Sequence, residues 1–251
     1  MMMPRICGVI DRRLLINYRV LPEVLTAELP AAFRPQIVEG YGMAGICLIR
    51  LAGLRPKFAP RWLGCGSENM AHRIAVEWDT ADGLQHGVYV MRRDTDSRLN
   101  TMLGGRVFPG VHHRACFKVM ESESRFKIDV SSCDQAVNAR VDATVAQEWT
   151  KRSVFRSIEA ASSFFECGSI GYSDGPVGGF QGLKLKCADW SVEPLHVNDA
   201  FSSEFNRMAN AASGAIEFDN ALLMRSISHE WECLPDFSCT PEPAEAVRGC
   251  P

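Results

Sequence analysis

The sequence predicts an α+β domain made mostly of antiparallel strands, with a few short helices. Three observations carry this. Runs rich in Val, Ile and Leu follow one another at hairpin spacing, separated by turn residues such as Asp82-Gly83. Only a few short segments carry helix start and stop residues. The chain has 251 residues, 46% hydrophobic and 23% charged, which suits one large globular domain and not a disordered chain.

The first predicted strand is Arg12 to Val20, followed by a helix opening at Pro22, where proline suits the first turn. Leu29-Pro30 and Arg34-Pro35 end that helix. A strand-like run from Gln36 to Leu54 is interrupted by Gly40, Gly42, Gly45 and Gly53, a density that suggests bulges or sharp curvature. The prolines of Arg55 to Pro60 make a loop. Ser67 to Asp79 and His86 to Arg93 form a hairpin about an Asp-Gly turn. Asp94 or Thr95 then caps a short helix, Asp96 to Leu103, ended by Gly104-Gly105.

Strands resume in meander order at His112 to Glu121, Arg125 to Ser131 and Ala139 to Ala146. Ser157 to Cys167 has the strongest helix signature, with a Ser cap, an acidic first turn and Gly168 past its end. A Gly-rich loop from Gly168 to Gly182 leads to a strand at Lys184 to His196, and Gly214 to Glu232 closes the ordered part. Residues 1–234 are thus expected to form a single domain, with 235–251 a flexible tail.

Composition excludes several functions. A net charge of −3 offers no basic stripe for nucleic acid. No apolar run is long enough for a signal peptide or a membrane span. The ten cysteines include no C-x-x-C pair, so neither a disulfide framework nor a zinc site is indicated, and a reducing cytoplasm is expected. Arginine outnumbers lysine by 21 to six, which leaves few amines for covalent catalysis.

Side-chain alternation singles out polar residues on apolar faces. Glu68 and His72 share a face with Met70, Ile74, Val76 and Trp78, whereas Asn69, Ala71, Arg73, Ala75 and Glu77 fall on the other, which is read as outward. His113 shares a face with Ala115, Phe117 and Val119, while His112, Arg114 and Lys118 point away. Arg12 shares parity with Leu14, Ile16, Tyr18 and Val20. Singly, each is explained by a structural ion pair; together they outline a polar patch in an apolar cavity, the usual character of a small-molecule site. In Arg92 to Arg98 the acids suffice to cap a helix, and Arg93 or Arg98 could instead clamp an anion.

Four motifs then resemble a known family. These are Asn17-Tyr-Arg-Val-Leu-Pro-Glu-Val-Leu25, Ser67 to Trp78, Arg92 to Arg98 and Gly105-Arg-Val-Phe-Pro-Gly-Val-His-His-Arg114. They look like the YqjF-like domain-of-unknown-function family over Arg12 to Trp231. That group is similar to the acetoacetate decarboxylase-like superfamily, which implies a closed, cone-shaped β-barrel around a ligand cavity. The decarboxylase forms a Schiff base through a lysine. The resemblance places His113 at that lysine and Arg114 beside it, matches the family's glutamate to Glu68, and puts its N-terminal arginine near Arg12.

A Schiff base is therefore not expected. The enzyme reading has Glu68 and His113 as an acid–base pair. Arg12, His72, Arg93, Arg106 and Arg114 would then bind a small carboxylate- or carbonyl-bearing molecule, with no cofactor. The alternative is a non-catalytic ligand-binding barrel. Glu68, His72 and His113 could also be assembled into a metal site, but their spacing is uninformative and no metal is assigned. A fully packed interior would instead indicate a scaffold. A homo-oligomer is compatible with the sequence.

Overall fold

The computed structural model describes residues 5–103, 109–175, 178–211 and 214–235. In chain order its strands and helices are β1 (Ile6–Val20), α1 (Pro22–Glu28), β2 (Arg34–Pro35), β3 (Ile37–Val38), β4 (Tyr41–Pro56), β5 (Cys65–Thr80), β6 (Gly83–Thr95), α2 (Arg98–Leu103), β7 (His112–Glu121), β8 (Arg125–Ser132), β9 (Asn138–Val145), α3 (Ile158–Cys167), β10 (Ile170–Asp174), β11 (Phe180–Cys187), β12 (Glu193–Ser202), α4 (Ser203–Ala211) and β13 (Ile216–Cys233). The mostly antiparallel architecture with few short helices matches the expectation. Among the described residues all strands belong to one 13-stranded network, in which only β10–β6 and β6–β7 pair in parallel.

Most elements lie where their local signals put them. Pro22 opens α1, and Gly83 takes a φ of 106° at the β5–β6 turn. Ser157 caps α3 by accepting from the Ala160 N–H. Three regions differ. The Gly-rich segment contains β10, which is held by β6 and β11 and owes little to its own residues. The strand expected at Lys184 to His196 is divided between β11 and β12, and α4 follows directly. Ser97, not Asp94 or Thr95, caps α2 by accepting from Asn100 N; Asp94 is instead bound by Arg92. The tail beyond residue 235 lies outside the described residues.

The pairing scheme organises the interior. Starting at β6, one path of paired strands runs through β10 and β11 to β13, and a second runs through β7, β8, β9 and β12 to β13. Both return to β6 through β1, β4 and β5. These shared strands form a wall with a core on each side. Leu14, Ile16, Leu48, Ile74 and Leu223 face a core completed by Ile128 and Val141. Leu15, Ile49, Ala75, Leu222 and Met224 face another, completed by Phe155 and Phe165. Burial on both faces explains the nearly unbroken apolar run from Met43 to Leu51.

One irregularity in the wall matters for the site. Opposite β5, His72 faces Arg92 but Arg73 faces Val90, so Met91 has no partner residue across the ladder. This bulge reverses the parity of β6. Val88 and Val90 share one face with Arg93, while Arg92 and Asp94 are turned to the other.

Two-sided burial is directly testable. Leu222 and Leu223 are consecutive, and neither has exposed surface. Leu222→Ala and Leu223→Ala are each expected to cost about 2–5 kcal/mol in chemical denaturation, since both leave a cavity. A wall with one wet face would make one of the two nearly neutral.

Candidate functional site

A cavity of about 160 Å³ opens on the β10–β11 side of the wall. The strand register arranges its lining in rungs. Arg13 lies opposite Ile49, which lies opposite Asn69. On the next rung Cys47 lies opposite Ala71, Ala71 opposite Arg93, and Arg93 opposite His112. Arg73 and Val90 form a third. Phe165, Leu183, Leu185, Trp190 and Trp231 close the apolar sides.

Three guanidiniums therefore line one small cavity, and none meets a carboxylate among the described residues. Arg13 donates only to sulfur, from Nε to Cys47 Sγ at 3.2 Å and from Nη1 to Met224 Sδ at 3.8 Å. Arg93 donates from Nη1 to the Ser173 hydroxyl. Arg73 is 5% exposed, donates from Nη2 to Asn17 Oδ1 at 3.0 Å and has no partner at Nε. Burial brings Arg73 and Arg93 down to about 10, so both stay charged at neutral pH. Asp94, the only acidic residue among the described lining residues, turns its carboxylate to the other face, where Arg92 holds it. One buried and two half-buried cations without a counter-charge are costly until an anion arrives.

Arg73 is fixed from behind by a chain of buried amides. Asn17 Nδ2 donates to Asn220 Oδ1 at 2.9 Å, and Asn220 Nδ2 donates to Asp219 Oδ1 at 2.7 Å. Asp219 also accepts from Ser153 Oγ and the Val154 N–H. Gly45 is required here, because a Cβ at that position would lie 2.9 Å from Asn17 Oδ1 and 2.7 Å from the Ile16 carbonyl oxygen. The ring face of Phe165, 5.1 Å from the Arg73 guanidinium carbon, adds a cation–π contact.

His112 is held at about 4, chiefly by burial and then by the Arg93 charge, so it is neutral near pH 7. Its Nδ1 lies 3.1 Å from the Gly110 carbonyl oxygen, which selects the Nδ1–H tautomer.

The residues singled out from sequence take other places, apart from Arg93, which lines the cavity. Glu68 and His113 are not paired. Glu68 accepts from Arg12 and from Arg50 Nε at 2.6 Å, and Glu121 binds both arginines again, closing a four-membered ion-pair ring. That carboxylate is already neutralised by two guanidiniums. His113 shares the face of Ala115 as expected, but its Nδ1 lies 3.3 Å from Asp134 and its side chain is 36% exposed. His72 is fully buried with Nε2 2.9 Å from Ser202 Oγ. Arg114 does not line the cavity, and Arg106 lies outside the described residues. No cluster of three or more metal-ligating side chains occurs among the described residues.

The face of β5 read as outward, with Asn69, Ala71 and Arg73, is the face that lines the cavity. Alternation marks that face as outward only for a strand with one buried side, and β5 has two. The apolar run in β4 is the sequence signal that its neighbours are buried twice.

Comparison with known proteins agrees with this fold. A family profile described as an uncharacterized conserved protein, DUF2071, matches residues 10–164. The chain belongs to the DUF2071 family. No curated protein matches it in sequence. This DUF2071 member is similar in structure to an acetoacetate decarboxylase from Legionella pneumophila, at a TM-score of 0.58 and 12% identity over 93% of this chain and 88% of that one. An acetoacetate decarboxylase-like enzyme from Sphingomonas wittichii RW1 gives a TM-score of 0.55, at 12% identity over 93% and 91% of the two chains. The enduracididine biosynthesis enzyme MppR complexed with pyruvate gives 0.53, at 12% identity over 92% and 88%. The acetoacetate decarboxylase-like fold is shared. No helix among the described residues is long and apolar enough to cross a membrane.

The buried histidines set a pH dependence. His72, His112 and His229 are each lowered from 6.5 to about 4, mainly by burial. Their stabilising contribution is complete above pH 6.5, where folded and unfolded states are both neutral. It is lost as pH falls from 6.5 toward 4, because the unfolded chain takes up protons first. For fully buried His72 the loss is on the order of 3 kcal/mol. Tm is expected to fall across that range, and His72→Gln should flatten the profile. An unchanged slope in the variant would remove His72 from the account.

Proposed function

We propose that this protein binds a small carboxylate, of the oxo-acid class, in the cavity lined by Arg13, Arg73 and Arg93. The carrying observation is that three guanidiniums, Arg73 buried and Arg13 and Arg93 half-buried, meet there with no carboxylate partner among the described residues. Planar guanidinium suits bidentate carboxylate binding, and the low-dielectric surroundings strengthen the attraction. The apolar walls and a volume of about 160 Å³ suit a ligand of roughly six non-hydrogen atoms. Pyruvate, the ligand complexed in MppR, is of that size and charge. The ring of pairings around this side of the wall supports reading the enclosure as a barrel cavity.

A Schiff base is not part of this reading, since no lysine is among the lining residues. Lys57 and Lys186 are engaged by Glu230 and Glu232, and Lys118 is exposed. Nor do Glu68 and His113 supply acid–base chemistry, because each is held by other partners. His112, neutral and beside Arg93, is the group placed to exchange a proton with the ligand.

Calorimetric titration tests the binding. Pyruvate and acetoacetate are expected to bind, while the neutral pyruvamide binds at least tenfold more weakly, a difference of about 1.4 kcal/mol. Arg93→Met should weaken the acids by about 10- to 100-fold, the measure of a charged hydrogen bond. Its unliganded Tm should be unchanged or raised, since a desolvated cation with no counter-charge among the described residues is removed. Equal affinity for acid and amide would overturn the proposal.

Borohydride with pyruvate is expected to leave the protein mass unchanged. A reduced adduct in the mass spectrum would restore the Schiff-base route.

A further inference from the structure

Resting on that reading of the cavity, we infer that Cys47 is its nucleophile. Sγ adds to the carbonyl carbon of the bound oxo acid and forms a reversible thiohemiketal. Cys47 is 6% exposed and lines the cavity from the middle rung. On that rung the order is Cys47, Ala71, Arg93. Two strand spacings put the Cα atoms of Cys47 and Arg93 about 10 Å apart on the same face. Only the methyl group of Ala71 rises between them. A short oxo acid lying over Ala71 can place its carboxylate on Arg93 and its carbonyl toward Sγ.

The polar surroundings fit this use. Arg13 Nε donates to Sγ at 3.2 Å, and the sulfur is close enough to Arg73 to favour that residue's cation. Arg73, buried with Nε unpartnered, independently marks the same space as awaiting an anion. A buried cysteine is ordinarily a small packing residue. Packing alone does not account for a guanidinium on the sulfur beside an open cavity. No other cysteine lines this cavity among the described residues. Cys65, Cys116, Cys133 and Cys167 are exposed, while Cys7 and Cys187 line a different pocket.

In the step the sulfur attacks as the thiolate. An S–C bond forms, and the carbonyl π pair moves onto oxygen. That oxygen takes the proton shed by the thiol, so nothing is oxidised or reduced. The guanidiniums face the charge that develops on the oxygen. Reversal releases the ligand intact.

Competitive alkylation of the folded full-length protein tests this with two reagents that differ in charge. Iodoacetate and iodoacetamide are compared at the Cys47 peptide by mass spectrometry, with the other nine cysteines as internal references. The anionic reagent is expected to modify Cys47 at least about tenfold faster than the neutral one, because the cavity concentrates anions. The reference cysteines should show no such preference, pyruvate should slow the reaction at Cys47 alone, and Arg93→Met should abolish the preference. With [2-13C]pyruvate, the carbonyl signal should move to the sp3 range in the wild type and remain a ketone in Cys47→Ser. If pyruvate binds by calorimetry but Cys47 shows neither preference nor protection and no sp3 signal appears, the nucleophile is overturned and the anion site stands. If pyruvate does not bind at all, the carboxylate site falls first and Cys47 with it.

Discussion

Everything in this molecule depends on strands that are buried on both faces. A sheet with one wet face can place polar residues outward at no cost, and its alternation tells inside from outside. Here β1, β4, β5 and β13 have a core on each side, so every polar side chain in the wall is a commitment. It must find a partner, lose its charge or await a ligand. The wall's polar residues divide along these lines.

On one face the commitments are met within the protein. Arg12, Arg50, Glu68 and Glu121 neutralise one another, His72 is neutral against Ser202, and Arg92 holds Asp94 and Asp134. On the other, Arg13 rests on sulfur, Arg93 on a hydroxyl and Arg73 on an amide whose charge balance lies two residues away at Asp219. The contrast within a single sheet is what supports the proposed anion site. An isolated arginine of either kind would say little; their segregation by face is the informative fact.

Much of the fold could be read from the sequence because strands, caps and turns leave local marks. The hairpin at Gly83, the meander of β7 to β9 and the Ser157 cap are of this kind. β10 left none, since its partners are brought from far along the chain. The site was harder. Arg12, Glu68 and His113 each stand one position from a residue that does line the cavity, namely Arg13, Asn69 and His112. In a strand one position is the difference between faces. Parity correctly grouped residues by face, but it does not say which face holds the cavity when both are covered. Arg93 was legible as a possible anion clamp because it sits in a charge-dense segment. Arg73 and Cys47 were not, since Arg73 falls on the face of β5 read as outward and Cys47 is one residue in the apolar run of β4.

The bulge at Met91 carries a consequence for how relatives of this chain are compared. That unpaired residue sets which of two adjacent arginines serves which interior: Arg92 lies beside buried Asp94 and Arg93 in the arginine-lined cavity. A relative of the same length that paired this residue with the one opposite, with no bulge, would present the preceding arginine to the cavity and the following one to the other face. Matching arginine to arginine across such a pair would be correct in residue type and wrong in place. The register of β6 against β5 is therefore as informative about the lining of this cavity as the identity of its residues.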